Sequence, residues 1–206
     1  MLESLAMDFE IPTWTDVISY LMELAQKIRE EKQVIDAIVC IGRGGNCPSR
    51  ILSDFLDVHT IYNITVSYYI DINKKKRTPS VTQPLGVPGG LKGKHVLVCD
   101  DVSDSGDSMS LVKRHLQDLG CASITTVTLY IKSWTKFIPD YYIKDSEAWI
   151  VFPWERIETL DKLITIFSNE GLSLDEIKSK FLSIGFDQNS IDFYFTMSER
   201  SKNQSE

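Results

Sequence analysis

The chain has 206 residues, 43% hydrophobic and 25% charged, with a formal net charge of −7. That length supports one moderate α/β core with a small appendage, and the acidic balance excludes general attraction to nucleic acid or to an anionic membrane surface, so any anion site must be local. No apolar stretch reaches the roughly 18 residues a bilayer span needs, and the start of the chain lacks the basic-then-apolar order of a secretory signal, which leads to an expected cytoplasmic location. Cys40, Cys47, Cys99 and Cys121 are widely spaced, with no CxxC pair, and read as core-type thiols rather than a disulfide framework or zinc site.

Trp14, Val17, Leu21, Leu24 and Ile28 recur at helical spacing and predict a first amphipathic helix, with Thr13 or Thr15 available as its N-cap. Residues 35–41 predict a strand ending at Gly42-Arg43-Gly44-Gly45, with Pro48 suited to the first turn of a helix through Ile51, Leu52 and Phe55. Residues 60–69 are rich in β-branched and aromatic types; 124–131 resemble them, and 148–152 form a shorter strand candidate. Between residues 71 and 94 a polar stretch carries Lys74, Lys75, Lys76 and Arg77, several prolines and Gly89-Gly90, and reads as a long functional or disordered loop. About five strands thus alternate with helices, which predicts an α/β fold with an open, mainly parallel sheet.

The tail changes character. Leu160, Leu163, Ile164 and Phe167 predict one helix, Ser173 and Glu176 form a capping-box pattern before Ile177, Phe181 and Ile184, and Ile191, Tyr194 and Phe195 predict a third. Residues 1–157 are therefore expected to form a core with a small hood, and 158–206 a helical appendage whose end frays from Ser198.

The most informative segment is Val96 to Ser108, VLVCDDVSDSGDS. Val96, Leu97, Val98 and Cys99 suit a strand buried on both faces of a parallel sheet, so Asp100 and Asp101 fall at its carboxyl end, where open α/β sheets bind ligands. Two carboxylates offer acceptors to two neighbouring hydroxyls. Beyond them Asp104, Ser105, Gly106, Asp107 and Ser108 form a small-residue turn opening a helix through Met109, Leu111, Val112, Leu116 and Leu119, whose amide N–H groups suit a phosphate. The order describes a site for a phosphorylated sugar.

This segment is similar to the phosphoribosyl pyrophosphate-binding motif of type I phosphoribosyltransferases, and the resemblance covers residues 13–155. It implies that Asp100 and Asp101 hold the ribose hydroxyls, that Asp101 touches a Mg²⁺ ion through water, and that the Gly42-to-Gly45 loop, through Arg43 and Gly44, receives pyrophosphate across a cis peptide between Arg43 and Gly44. The basic stretch from Lys74 to Arg77 occupies the place of the family's mobile loop, and a charge run of this kind otherwise reads as solvated surface.

On the base side the chain most resembles the short archaeal and bacterial enzymes for 6-oxopurines. Asp104 matches the acid that meets the proton at purine N7, Lys132 the lysine that donates to the 6-oxo oxygen, and Trp149 the aromatic that stacks on the base, with Ile150 supplying backbone contacts. A purine phosphoribosyltransferase of salvage metabolism is implied, using phosphoribosyl pyrophosphate and a purine base, with a homodimer expected.

Two features depart from the family pattern. Asp107 places a carboxylate inside the phosphate loop, tolerable where only its amide contributes. The tail exceeds what a compact member needs, and leaves open an adenine enzyme with a tail-modified base site. A regulator that senses phosphoribosyl pyrophosphate and docks a protein through its tail is the alternative of another class. From Glu158 to Glu206 there are nine acids against five bases, which counts against a DNA-reading role for that tail.

Overall fold

The computed structural model describes residues 8–70, 77–83 and 90–203. After a two-residue strand, β1 (Phe9–Glu10), the apolar stripe becomes α1 (Trp14–Glu30), which begins directly after Thr13 and buries Val17, Leu21, Leu24 and Ile28. Strand β2 (Ala37–Gly42) is buried along all but its last residue, as an interior parallel strand must be. It leads into α2 (Asn46–Leu56), where Pro48 lies in the first turn and forfeits only an N–H that lacks an intrahelical partner. There follow β3 (Ile61–Ile70), β4 (Arg77–Gln83), β5 (His95–Cys99), β6 (Val102–Ser103), α3 (Asp107–Asp118), β7 (Ser123–Val127), β8 (Tyr130–Ile131), β9 (Lys144–Asp145) and β10 (Trp149–Ile150).

The main sheet has the order β4-β3-β2-β5-β7. All of its pairings are parallel except that of β4, which returns antiparallel to β3. An α/β architecture with a mainly parallel sheet is therefore present, and it positions the site directly. Strand β5 lies between β2 and β7, Cys40 of β2 stands opposite Cys99 of β5, and both strands release their loops from the same carboxyl edge. Packed on the sheet, Met109, Val112 and Leu116 of α3 join Val39, Ile41, Val96 and Val98 in one core, which anchors the helix whose first turn meets the ligand edge.

Three expectations need correction. The stretch from 71 to 94 is not all loop, because residues 77–83 form β4. An edge strand needs backbone pairing more than an apolar pattern, and Pro79 is compatible with an edge. Lys74, Lys75 and Lys76 lie outside the described residues, and Arg77 opens β4. Residues 124–131 do not form one strand: the chain leaves the main sheet after Val127, and the N–H groups of Leu129 and Tyr130 turn onto the Asp101 carbonyl at 3.0 and 3.2 Å. Residues 148–152 supply β10, which pairs in parallel with β1 instead of joining the main sheet.

The described residues through Trp14 and from Ala148 onward form one compact unit, and Thr15–Glu147 form the other. The division thus falls before β10 rather than after residue 157, because β1–β10 pairing and the apolar contacts of Phe9, Ile11 and Trp149 tie both segments to the tail helices. Those helices are α4 (Arg156–Asn169), α5 (Leu174–Ile184) and α6 (Gln188–Asn203), wrapped around Leu160, Leu163, Phe167, Ile177, Phe181 and Tyr194. Helix α6 continues past Ser198 to Asn203, because extending a formed helix needs one backbone bond per residue and no further apolar side chain. Among the described residues no helix is long and apolar enough to cross a membrane.

The capping box at α5 is complete. Ser173 Oγ accepts from the Glu176 N–H at 3.4 Å, and the Glu176 carboxylate accepts from the Ser173 N–H at 2.8 Å. Ser173→Ala is expected to cost about 1 kcal/mol, read as a lower Tm of the purified chain. Hydrogen bonds from the Ser173 side chain and backbone lower the Glu176 carboxyl below its ordinary range. Its part of the cap is therefore present at neutral pH and is lost as pH falls through that lowered value.

Candidate active site

The site begins where β5 ends. Asp100 donates its N–H to the Val127 carbonyl at 3.1 Å, the last pairing of β5 with β7, and its carboxylate accepts the Asp101 N–H at 3.0 Å. Asp101 is buried, its Oδ1 accepts from the Val102 N–H at 2.8 Å, and its carbonyl receives Leu129 and Tyr130. Both ends of Asp101 are thereby immobilised. Loss of hydration, and then the Asp101 charge beside it, push the Asp100 carboxyl well above the ordinary range.

The loop from β2 meets this pair at close quarters. A Cβ added to Gly44 would lie 2.3 Å from Asp101 Oδ2, so only glycine lets the backbone pass over the carboxylate. Arg43 is exposed beside it. The cis peptide lies between Gly42 and Arg43, one residue earlier than expected. After Arg43 the chain is already committed to the helix-entry turn, with Gly45 N–H on the Ile41 carbonyl and Asn46 N–H on the Arg43 carbonyl.

Beyond β6, Asp104, Ser105, Gly106 and Ser108 line a hollow of about 60 Å³ together with Asp100 and Ser103. That is far below the roughly 300 Å³ of a whole-ligand pocket, and suits a single group such as a phosphate. Gly106, at φ 80°, is the N-cap of α3, and a Cβ there would stand 2.6 Å from the Phe137 backbone nitrogen. Asp107, partly buried, is the first residue of α3; its N–H donates to Ser105 Oγ at 3.3 Å, and its acidic side chain lies in the helix's electropositive first turn.

Lys132 is buried, and its N–H donates to the Ser103 carbonyl at 3.1 Å, which ties the residues after β8 to the acid-bearing loop. Asp104 is exposed, yet its Oδ1 accepts from Trp134 Nε1 at 2.8 Å. Trp134 went unassigned in the sequence; its signal was a tryptophan two residues after the lysine. Trp149 and Ile150 fall in the other compact unit. There the Trp149 ring stacks on Phe9 with centroids 6.2 Å apart, and Ile150 is buried.

Residues 10–156 match the phosphoribosyl transferase domain family. A purine phosphoribosyltransferase from Pyrococcus horikoshii is 39% identical, superimposes with a TM-score of 0.64, and is covered over 94% of its length by 72% of this chain. The xanthine-guanine phosphoribosyltransferase of Nitratidesulfovibrio vulgaris, strain Hildenborough, is 30% identical over 127 residues, 61% of this chain and 72% of its own. A xanthine-guanine-hypoxanthine phosphoribosyltransferase from Helicobacter pylori matches at 26% identity and a TM-score of 0.64, over 75% of this chain and 99% of its own. With paired acids ending β5, a glycine loop from β2 crossing them and a small hollow at the head of α3, the chain belongs to the phosphoribosyl transferase family.

Proposed function

We propose that this protein transfers the phosphoribosyl group of phosphoribosyl pyrophosphate to a free 6-oxopurine base, releasing pyrophosphate and a nucleoside monophosphate in purine salvage. The observation that carries this reading is the convergence of Asp100, Asp101, Asp104 and the 105–108 turn at one strand end, with Lys132 bonded to the same loop. The names of its relatives, which act on xanthine, guanine and hypoxanthine, support the choice of base.

In this reading Asp100 and Asp101 accept hydrogen bonds from the two ribose hydroxyls, while Ser105, Gly106, Ser108 and the Asp107 amide hold the 5-phosphate. Arg43 and the Gly44 backbone receive pyrophosphate. Base N9 forms the new bond to the anomeric carbon as the bond to pyrophosphate oxygen breaks, and Asp104 takes the N7 proton that would otherwise leave the base cationic. Lys132 donates to the 6-oxo oxygen.

Two adjacent carboxylates, one with its carboxyl pushed up partly by the other's charge, form a hard oxygen donor set of the kind that holds magnesium together with substrate oxygens. Mg²⁺ at Asp101 would neutralise the departing pyrophosphate. A cytoplasmic homodimer completes the proposal, consistent with four cysteines that are all free thiols.

The test is turnover of phosphoribosyl pyrophosphate with hypoxanthine, guanine, xanthine and adenine separately, with Mg²⁺ and with EDTA. Nucleotide formation from 6-oxopurines alone, abolished by EDTA, is expected. Turnover of adenine alone would replace the base assignment. Binding of phosphoribosyl pyrophosphate with no turnover of any base would favour a sensor.

A further inference from the structure

Trp134 is 53% exposed, a poor use of a large apolar side chain if packing were its purpose. Its one polar atom is nevertheless committed, with Nε1–H donating to Asp104 Oδ1 at 2.8 Å across thirty residues of chain. The backbone beneath it is fixed from several sides. Lys132 N–H reaches the Ser103 carbonyl and Lys136 N–H the Ser105 carbonyl, each at 3.1 Å, while Ser103 Oγ donates to the Phe137 carbonyl at 2.8 Å. Thr135 N–H closes the turn on the Lys132 carbonyl at 2.9 Å. The segment that carries the indole is therefore laced to the loop that carries Asp104, and the indole's position is set before any ligand arrives.

Asp104 itself is exposed, and an exposed carboxylate left alone would sample several rotamers. One donor on one oxygen selects a single rotamer and leaves the other oxygen to face the reacting base. The same ring lies 5.7 Å from the Lys132 ammonium, within cation–π reach, so one indole touches both groups that the proposed reaction needs on the purine.

We infer that Trp134 is a positioning residue for the reaction: its indole N–H holds the Asp104 carboxylate in the orientation that receives the purine N7 proton, while its face steadies Lys132 toward the 6-oxo oxygen. This rests on the reading of Asp104 as the proton acceptor. Holding a reacting group to within an ångström is a large share of what a scaffold contributes to rate, and supporting residues of this kind act on kcat more than on the binding of a remote substrate group.

The experiment is a double-mutant cycle in the full chain, with Trp134→Phe made alone, Asp104→Asn made alone, and both combined. Steady-state kinetics use phosphoribosyl pyrophosphate and the best 6-oxopurine, and each variant is melted to confirm folding. Phenylalanine keeps an aromatic ring near Lys132 and removes the N–H together with the five-membered ring that carries it. Trp134→Phe alone is expected to lower kcat about 10- to 30-fold, with KM for phosphoribosyl pyrophosphate within about twofold of the parent. In the Asp104→Asn background the same change is expected to cost less than about twofold, because the group it positions is already gone. Equal losses in both backgrounds would overturn the inference, as would an unchanged kcat for Trp134→Phe beside an impaired Asp104→Asn. Full turnover by Asp104→Asn would instead overturn the reading of Asp104 itself, and the inference with it.

Discussion

Replacing Asp104 with asparagine is expected to lower kcat about a thousandfold, within the range a positioned acid or base supplies, while KM for phosphoribosyl pyrophosphate changes little. Asparagine keeps the size of the side chain and an amide oxygen that still accepts from Trp134 Nε1, so the loop geometry survives. What is lost is the oxygen that takes up a proton in the proposed reaction. Pre-steady-state mixing with a 6-oxopurine reads the chemical step directly, and a loss under tenfold there would remove Asp104 from the reaction.

Gly44→Ala is expected to lower kcat/KM for phosphoribosyl pyrophosphate about a hundredfold by a different route. The new methyl would need at least 3 Å from Asp101 and would find 2.3 Å to Oδ2 and 2.5 Å to Oδ1. Asp101 has nowhere to retreat, since Oδ1 is held by the Val102 N–H and the residue is buried. The loop must lift instead, carrying Arg43 away by roughly an ångström, and a displacement of that size costs about a hundredfold where reacting groups are positioned. A substrate titration checks it: saturation at unchanged concentration would show that the loop does not hold pyrophosphate.

The chemistry-bearing run was readable because each step has a local cause. The apolar run from Val96 to Cys99 is continuous because β5 is paired on both sides, and the acids follow at the point where the strand leaves the sheet. Helix α1 showed itself through the spacing of Val17, Leu21, Leu24 and Ile28 alone. Strand β4 did not, for Thr78, Pro79, Ser80 and Thr82 carry no apolar alternation, and an edge strand draws its definition from the neighbour it pairs with. The break between Val127 and Tyr130 was hidden for a related reason: its residues are apolar on both sides, and what turns the chain is the carbonyl of Asp101, remote in sequence. The Asp104–Trp134 bond was out of reach by the same measure, because no periodicity links positions thirty apart.

The pairing of β1 with β10 has a consequence in time as well as in space. Phe9 is made 140 residues before its partner Trp149. At roughly 5 to 20 residues per second, that is a wait of about 7 to 28 s during which β1 lacks the strand it pairs with. The residues between them hold a sheet of their own and are free to collapse before β1 meets β10. A bulky group fused ahead of β1 would burden that later pairing and slow the maturation of the helical unit, while leaving the rate at which the central sheet forms unchanged.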